Sequence, residues 1–178
     1  IRPRAGDFHY AEVAVEQMRR LRESAARHGA DGVVFGVLTK QGDVELNQLQ
    51  DLVGLAHQHR LLTTFHRAFD ATPNWSTALT MLIEAGVDRV LTSSTPWGSN
   101  QSADQGIAQL SDVVAHAQGN IEVVIGGGVH AGNVSTILSG LSTPTPRVSV
   151  HAYSGVQQNG VVTETAVRQL VQAVHLAR

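Results

Sequence analysis

The sequence predicts an α/β fold of the parallel (β/α)8 TIM-barrel type, and three observations carry the prediction. Short apolar runs alternate with stretches of helical periodicity along the whole chain. Strand starts at Asp31, Leu61, Asp88, Ile121 and Arg147 recur at intervals of about 26 to 33 residues, the length of one strand-helix unit. Polar side chains collect where strands end, as His66, Arg67 and Asp70, as Thr92 and Ser93, and as His151. Barrels of this kind carry their sites at those ends. An open doubly wound sheet uses the same alternation, but near-equal repeats favour the barrel.

Each element has its own pattern. Residues 10–28 place Val15, Met18, Leu21 and Ala25 on one helix face, and Gly29 is a natural stop. Residues 31–38 read as a buried strand. The next helix carries Leu49, Leu52, Val53 and Ala56, with Asp43 as its expected N-cap. The strand ending in His66 follows, and then a helix opened by Asn74, with Ala78, Leu79, Leu82 and Ile83 inward and a stop near Gly86. Residues 88–94 form a third strand, and 95–102 a loop. The next helix shows Ile107, Leu110, Val113, Val114 and Ala117. A fourth strand at 121–125 runs into Gly126, Gly127 and Gly128, followed by a helix with Val134, Ile137, Leu138 and Leu141. Residues 147–152 are a fifth strand. Thr163 caps a last helix with Val167, Leu170, Val171 and Val174 expected inward. Gly29-Ala30-Asp31-Gly32-Val33 recurs as Gly86-Val87-Asp88-Arg89-Val90, so one helix-to-strand turn is built twice.

Composition narrows the function classes. A formal net charge of -2 gives no electrostatic pull toward nucleic acid or an anionic membrane. No stretch approaches the roughly 20 apolar residues of a membrane span. With no cysteine, disulfides and thiolate metal sites are excluded within these residues. No break in composition marks a second domain, so residues 1–178 read as one domain. A barrel needs eight strands, and five are complete here. Ile1-Arg2-Pro3-Arg4 reads as the tail of a sixth, so about two further units are expected upstream. The chain is expected to supply the end of strand 3 through strand 8 of an incomplete barrel. An apolar sheet edge would then call for a partner subunit, most simply in a dimer.

The candidate site residues follow from cost. A His, an Arg and an Asp at a strand end are costly to bury unless they are paired or meet a ligand. His66 is the candidate acid/base, tuned by Asp70. The alternative is an Arg67–Asp70 ion pair that pins the following loop. At strand spacing His66 and Arg67 face opposite ways, whereas Arg2 and Arg4 share a face. Two guanidiniums there suit a carboxylate or phosphate, and the alternative is an Arg paired with Asp7 and Asp70. Gly126, Gly127 and Gly128 ahead of a helix suit an anion, with Asn133 fixing the loop, or else form a turn with positive φ. Thr92 and Ser93 offer hydroxyls to a ligand or to the loop backbone. His151 is a site residue or a core histidine. His66 and His151 alone make a weak metal signal, and most of His9, His28, His57, His59, His116, His130 and His175, in helices or loops, are expected in solvent. No serine triad, P-loop or dinucleotide fingerprint is present.

These motifs resemble the CutC family, named for copper homeostasis. The resemblance is carried by Arg2-Pro3-Arg4-Ala5-Gly6-Asp7-Phe8 with Tyr10, by Gly29 through Gly36, and by Thr64-Phe65-His66-Arg67-Ala68-Phe69-Asp70. Asp88-Arg89-Val90-Leu91-Thr92-Ser93, Gly126-Gly127-Gly128-Val129 with Asn133, and His151 continue it. Three positions depart from the family pattern: Ala5 and Ser94 stand where Gly is usual, and Tyr153 where a small residue is common. The last two are expected to narrow the barrel mouth. The resemblance implies a (β/α)8 barrel, a cytoplasmic location, a copper-homeostasis role and Cu(I) as the metal. The cysteines proposed to hold copper in some members sit in strands 1 and 2, outside these residues. The residues themselves suggest the rival reading of a barrel enzyme acting on a small anionic or phosphorylated molecule.

Overall fold

In a computed structural model the described residues are 1–142 and 147–177. They form two compact units, Ile1–Leu91 and Thr92–Arg178.

The first unit opens with a bent segment at residues 3–6 and then helix α1 (Glu12–Arg27). It continues through β1 (Gly32–Phe35), α2 (Leu46–Gln58), β2 (Leu62–Phe65), α3 (Trp75–Glu84) and β3 (Arg89–Thr92). The strands run parallel in chain order, with Val33 opposite Thr63, Phe35 opposite Phe65 and Phe65 opposite Val90. Alternate residues divide between the two sheet faces. Val33, Phe35, Thr63, Phe65 and Val90 are buried, while Val34 and Leu62 on the other face are exposed.

In the second unit α4 (Ile107–Ala117), β4 (Glu122–Gly126), α5 (Val134–Ser139), β5 (Val148–His151) and α6 (Glu164–Leu176) follow. Strands β4 and β5 pair in parallel, with Ile125 opposite Val150. A small antiparallel hairpin, β6 (Gln157–Gln158) and β7 (Val161–Val162), precedes α6. Asn159 and Gly160 turn it with φ of 53° and 78°, the pair of positive φ values that an Asn-Gly hairpin turn requires.

Most of the predicted faces are the buried ones. Leu49, Leu52, Val53 and Ala56 on α2 and Ala78, Leu79 and Leu82 on α3 are all buried. Asn74 caps α3 by accepting from the N–H groups of Ser76 and Thr77. Thr163 caps α6 by accepting from Ala166 N–H. Three expectations give way. On α1 the buried residues are Val15, Met18 and Arg22, and Leu21 is exposed. Arg22 enters the core because its guanidinium donates to Leu55 O at 2.6 Å. The residue capping α2 is Glu45, not Asp43, because residues 38 and 44 first form a β-bridge. On α6 only Leu170 of the expected stripe is buried, and Val167 and Val171 stay exposed.

The recurring Gly-x-Asp turn has a physical form. After α1, Ala30 N–H reaches Ala25 O and Gly29 N–H reaches Ala26 O. After α3, Val87 N–H reaches Leu82 O and Gly86 N–H reaches Ile83 O. Both are Schellman motifs, with the glycines left-handed at φ 76° and 78°. After α2 the same two bonds form at Leu61 and Arg60, but the left-handed residue is Arg60 at φ 59°. Asp88 then ties β2 to β3. Its carboxylate accepts from the N–H and the hydroxyl of Thr63, each at 2.8 Å, and lies 3.0 Å from His57 Nε2. Burial works against that charge, but these hydrogen bonds outweigh it and hold the carboxyl below its usual range. Replacing Arg60 by Gly is expected to stabilise the protein by roughly 0.5–1 kcal/mol in denaturant titration, because a Cβ in the left-handed region is strained.

Candidate functional site

His66 closes β2, but it is not a strand residue facing away from Arg67. The chain leaves the strand at Phe65 and enters a 3₁₀ turn, Arg67–Ala71. His66 N–H completes the ladder by donating to Phe35 O at 2.8 Å. Its side chain caps the turn, with Nδ1 accepting from Ala68 N–H at 3.1 Å. Its Nε2 is buried and has no hydrogen-bond partner among the described residues. The ring lies 5.0 Å from the Phe8 ring, and the Arg2 guanidinium sits over that Phe8 ring, 4.9 Å from its centroid. Phe8 thus touches both His66 and Arg2. Phe8 is fixed in turn because its carbonyl accepts from Leu38 N–H.

Gly36 makes room for this arrangement. A Cβ at Gly36 would lie 2.5 Å from Cε1 and 2.6 Å from Nδ1 of His66. The sequence pattern places Gly36 within the strand at residues 31–38 and gives it no site role, because nothing local shows that a ring thirty residues away will lean on it.

Burial lowers the His66 pKa to about 4, and the positive charge of Arg2 pushes the same way. Asp70 is not among the causes. Its carboxylate instead accepts from Arg67 Nε at 2.7 Å, with Asp70 almost wholly buried and Arg67 partly exposed. The alternative reading of this pair, an ion pair that pins the loop after the strand, is the geometry observed, and it replaces the expectation that Asp70 tunes His66.

Arg2 and Arg4 do not share a strand face, because residues 3–6 are bent. Arg2 donates to Gly6 O at 2.7 Å. Arg4 pairs with Asp7, donates to His9 O at 2.6 Å and covers the Tyr10 ring. The Asp7 carboxylate is held below its usual range, chiefly by the Arg4 hydrogen bond. Arg4 and Asp7 therefore hold the shape of the bent segment, and Arg2 reaches over the Phe8 ring that packs on His66.

The second unit holds the other sequence candidates. Thr92 and Ser93 are buried and serve the loop: Thr92 Oγ1 accepts from Ser94 N–H at 2.8 Å, and Ser93 Oγ meets Thr95 Oγ1 at 2.8 Å. Ser94, where the family resemblance has Gly, is left-handed at φ 52°. Tyr153 is 71% exposed, so its ring is directed toward solvent. Gly126 ends β4 in register with His151, which is exposed and therefore not a core histidine. Gly127 and Gly128 have φ of 106° and 70°, the turn reading. Asn133 fixes this turn by donating to Gly128 O at 3.0 Å and to the Asp104 carboxylate at 3.3 Å. That carboxylate and a following helix of six residues make the glycine loop a poor anion cradle.

Among the described residues no group of three or more His, Cys, Asp or Glu side chains is arranged to hold a metal ion. His9 is half-buried, and His28, His57, His59, His116, His130 and His175 are exposed. No described helix is long and apolar enough to cross a membrane.

A parallel strand-helix repeat with its polar groups at strand C-termini defines a protein of the (β/α)-barrel class, and solved structures agree. The CutC protein of Streptococcus agalactiae superposes with a TM-score of 0.75 at 25% identity, over 84% of this chain and 69% of that one. A ribulose-1,5-bisphosphate carboxylase/oxygenase from Pyrococcus horikoshii shares the fold alone, with a TM-score of 0.62 at 18% identity over 96% of this chain and 41% of that one. The CutC family profile matches residues 1–172, and the chain belongs to the CutC family. A CutC family protein of Vibrio atlanticus is 40% identical over 84% of this chain and 59% of its own length. The copper homeostasis protein cutC homolog of Mus musculus is 41% identical over 79% of this chain and 49% of its own length. The chain thus spans about half the length of the curated relatives it matches.

The low pKa of His66 has a sign that can be checked. Between about pH 4 and 6.5 the unfolded imidazole binds more protons than the folded one. The native state is therefore unpenalised above pH 6.5 and loses stability as pH falls toward 4, by on the order of 3 kcal/mol at most. Urea titrations across this range should show that loss in the wild type and a flatter profile in His66→Asn, which keeps an acceptor for Ala68 N–H.

Proposed function

We propose that this chain is the ligand-binding part of a CutC-family copper-homeostasis protein, and that it takes a small anionic molecule at the His66 end of β2. One observation carries the reading: His66 Nε2 is buried without a partner. A buried polar atom without a partner costs about 1–3 kcal/mol, and a ligand oxygen would recover that cost. The exposed Arg2 over the Phe8 ring supplies positive charge for an anion. A phosphorylated or carboxylated metabolite has the required chemistry, and a barrel enzyme acting on such a molecule is the catalytic form of this proposal.

The copper reading comes from the relatives' names, and Cu(I) handling would fall to groups outside the described residues. A cytoplasmic location and assembly into a homo-oligomer belong to the same proposal. The exposed Val167, Val171 and Leu176 of α6 support assembly.

A thermal-shift screen of anionic metabolites should find compounds that raise the melting temperature of the wild type, with His66→Ala or Arg2→Ala weakening their binding about 10- to 100-fold in calorimetry. A screen without hits, or binding unchanged in both variants, defeats the ligand proposal. Cu(I) titration against a competing chelator tests the copper reading separately, and copper retained neither by these 178 residues nor by a full-length form defeats it. Assembly predicts a melting temperature that rises with protein concentration.

A further inference from the structure

We infer that Gly36 is a positioning residue that fixes His66 as a neutral hydrogen-bond donor, so that the site selects an oxyanion, carboxylate or phosphate, and rejects a metal ion at the imidazole. The inference rests on the ligand reading above for the presence of a ligand, but not for the polarity of the ring. That polarity follows from one backbone group. Ala68 N–H can only donate, and it points at His66 Nδ1 at 3.1 Å. Nδ1 must therefore present its lone pair. A neutral imidazole in that state carries its proton on Nε2. Nε2 is the atom that is buried without a partner, so the site offers a donor and needs an acceptor.

The same bond argues against three other roles. A metal at Nε2 needs the lone pair there, which would move the proton to Nδ1 and set it against Ala68 N–H. Metal-bound histidines ordinarily donate from their second nitrogen, and this ring accepts there. An imidazolium would meet the same clash between donors. A general base at Nε2 would need that nitrogen free of its proton, so the acid/base role expected of His66 gives way to polarising a ligand oxygen from a neutral ring. Arg2, stacked over Phe8 next to the ring, adds a positive charge and favours an anion over a neutral carbonyl.

Gly36 maintains this polarity by what it lacks. Its missing Cβ would lie 2.5 Å from Cε1 and 2.6 Å from Nδ1 of His66, and 2.9 Å from Ala68 Cβ. Those are the ring edge and the residue that make the polarising bond. A methyl group there must push the ring off Ala68 N–H.

Long-range ¹H–¹⁵N spectra of the ¹⁵N-labelled 178-residue chain test this, with inorganic phosphate, acetate and Zn²⁺ as probes. In the wild type the His66 proton should sit on Nε2. Phosphate or acetate should shift that resonance, and the stronger of the two identifies the oxyanion class. Zn²⁺ should leave the His66 ring unligated. Gly36→Ala should mix the tautomers and weaken binding of the preferred anion at least ten-fold, while Arg2→Gln should weaken the anion and leave the tautomer as in the wild type. A wild-type ring protonated on Nδ1, or Zn²⁺ coordinated by His66, overturns the inference, and these wild-type spectra decide the matter even if Gly36→Ala does not fold. An Nε2-protonated ring that responds to neither anion overturns the oxyanion selectivity and the ligand proposal together, whereas a tautomer shift in Gly36→Ala still upholds the positioning role.

Discussion

Two parallel strands cannot be joined by a tight turn, and this constraint shapes the whole chain. Each strand must be followed by a helix that carries the backbone back to the sheet's starting side. The helix must then stop within a residue or two and release an extended strand. In the first unit three helices do this with the same pair of Schellman bonds and one left-handed residue, Gly29, Arg60 or Gly86. Because these turns hold the strand starts in register, the strand ends fall together, and that is where His66 emerges beside Phe35.

His66 shows how a site grows out of that frame. The ladder bond from its N–H to Phe35 O is ordinary sheet structure, and the turn at Arg67–Ala71 is ordinary chain reversal. The imidazole caps that turn, so one nitrogen is committed to the backbone and the other is left buried without a partner among the described residues. Asp70 and Arg67, which look like catalytic partners in the sequence, neutralise one another and hold the turn in place. The positively charged Arg4 is likewise consumed by Asp7 and the carbonyl of His9.

The glycine-rich loop after β4 takes the same course. Its left-handed glycines and the clamp from Asn133 account for it as a turn, and Asp104 adds a carboxylate where an anion cradle would want none. Family membership, by contrast, follows from motif order along the chain, which is why it was readable before any geometry was known.

The sequence by itself determined the alternation of strands and helices, the apolar faces of α2 and α3, the helix start at Asn74 and the cap at Thr163, the turns at Gly29 and Gly86, and the resemblance to one family. These depend on residues within a few positions of one another, where spacing and propensity decide. Tertiary structure alone decided that Arg22 is buried in the place of Leu21, that the α6 stripe stays exposed, and that Arg67 serves Asp70. It also decided that Gly36 leans on a histidine thirty positions away and that Ala68 N–H sets the polarity of that ring. Such facts turn on distances between segments remote in sequence and on the direction of single hydrogen bonds, and a linear pattern of residue types carries neither.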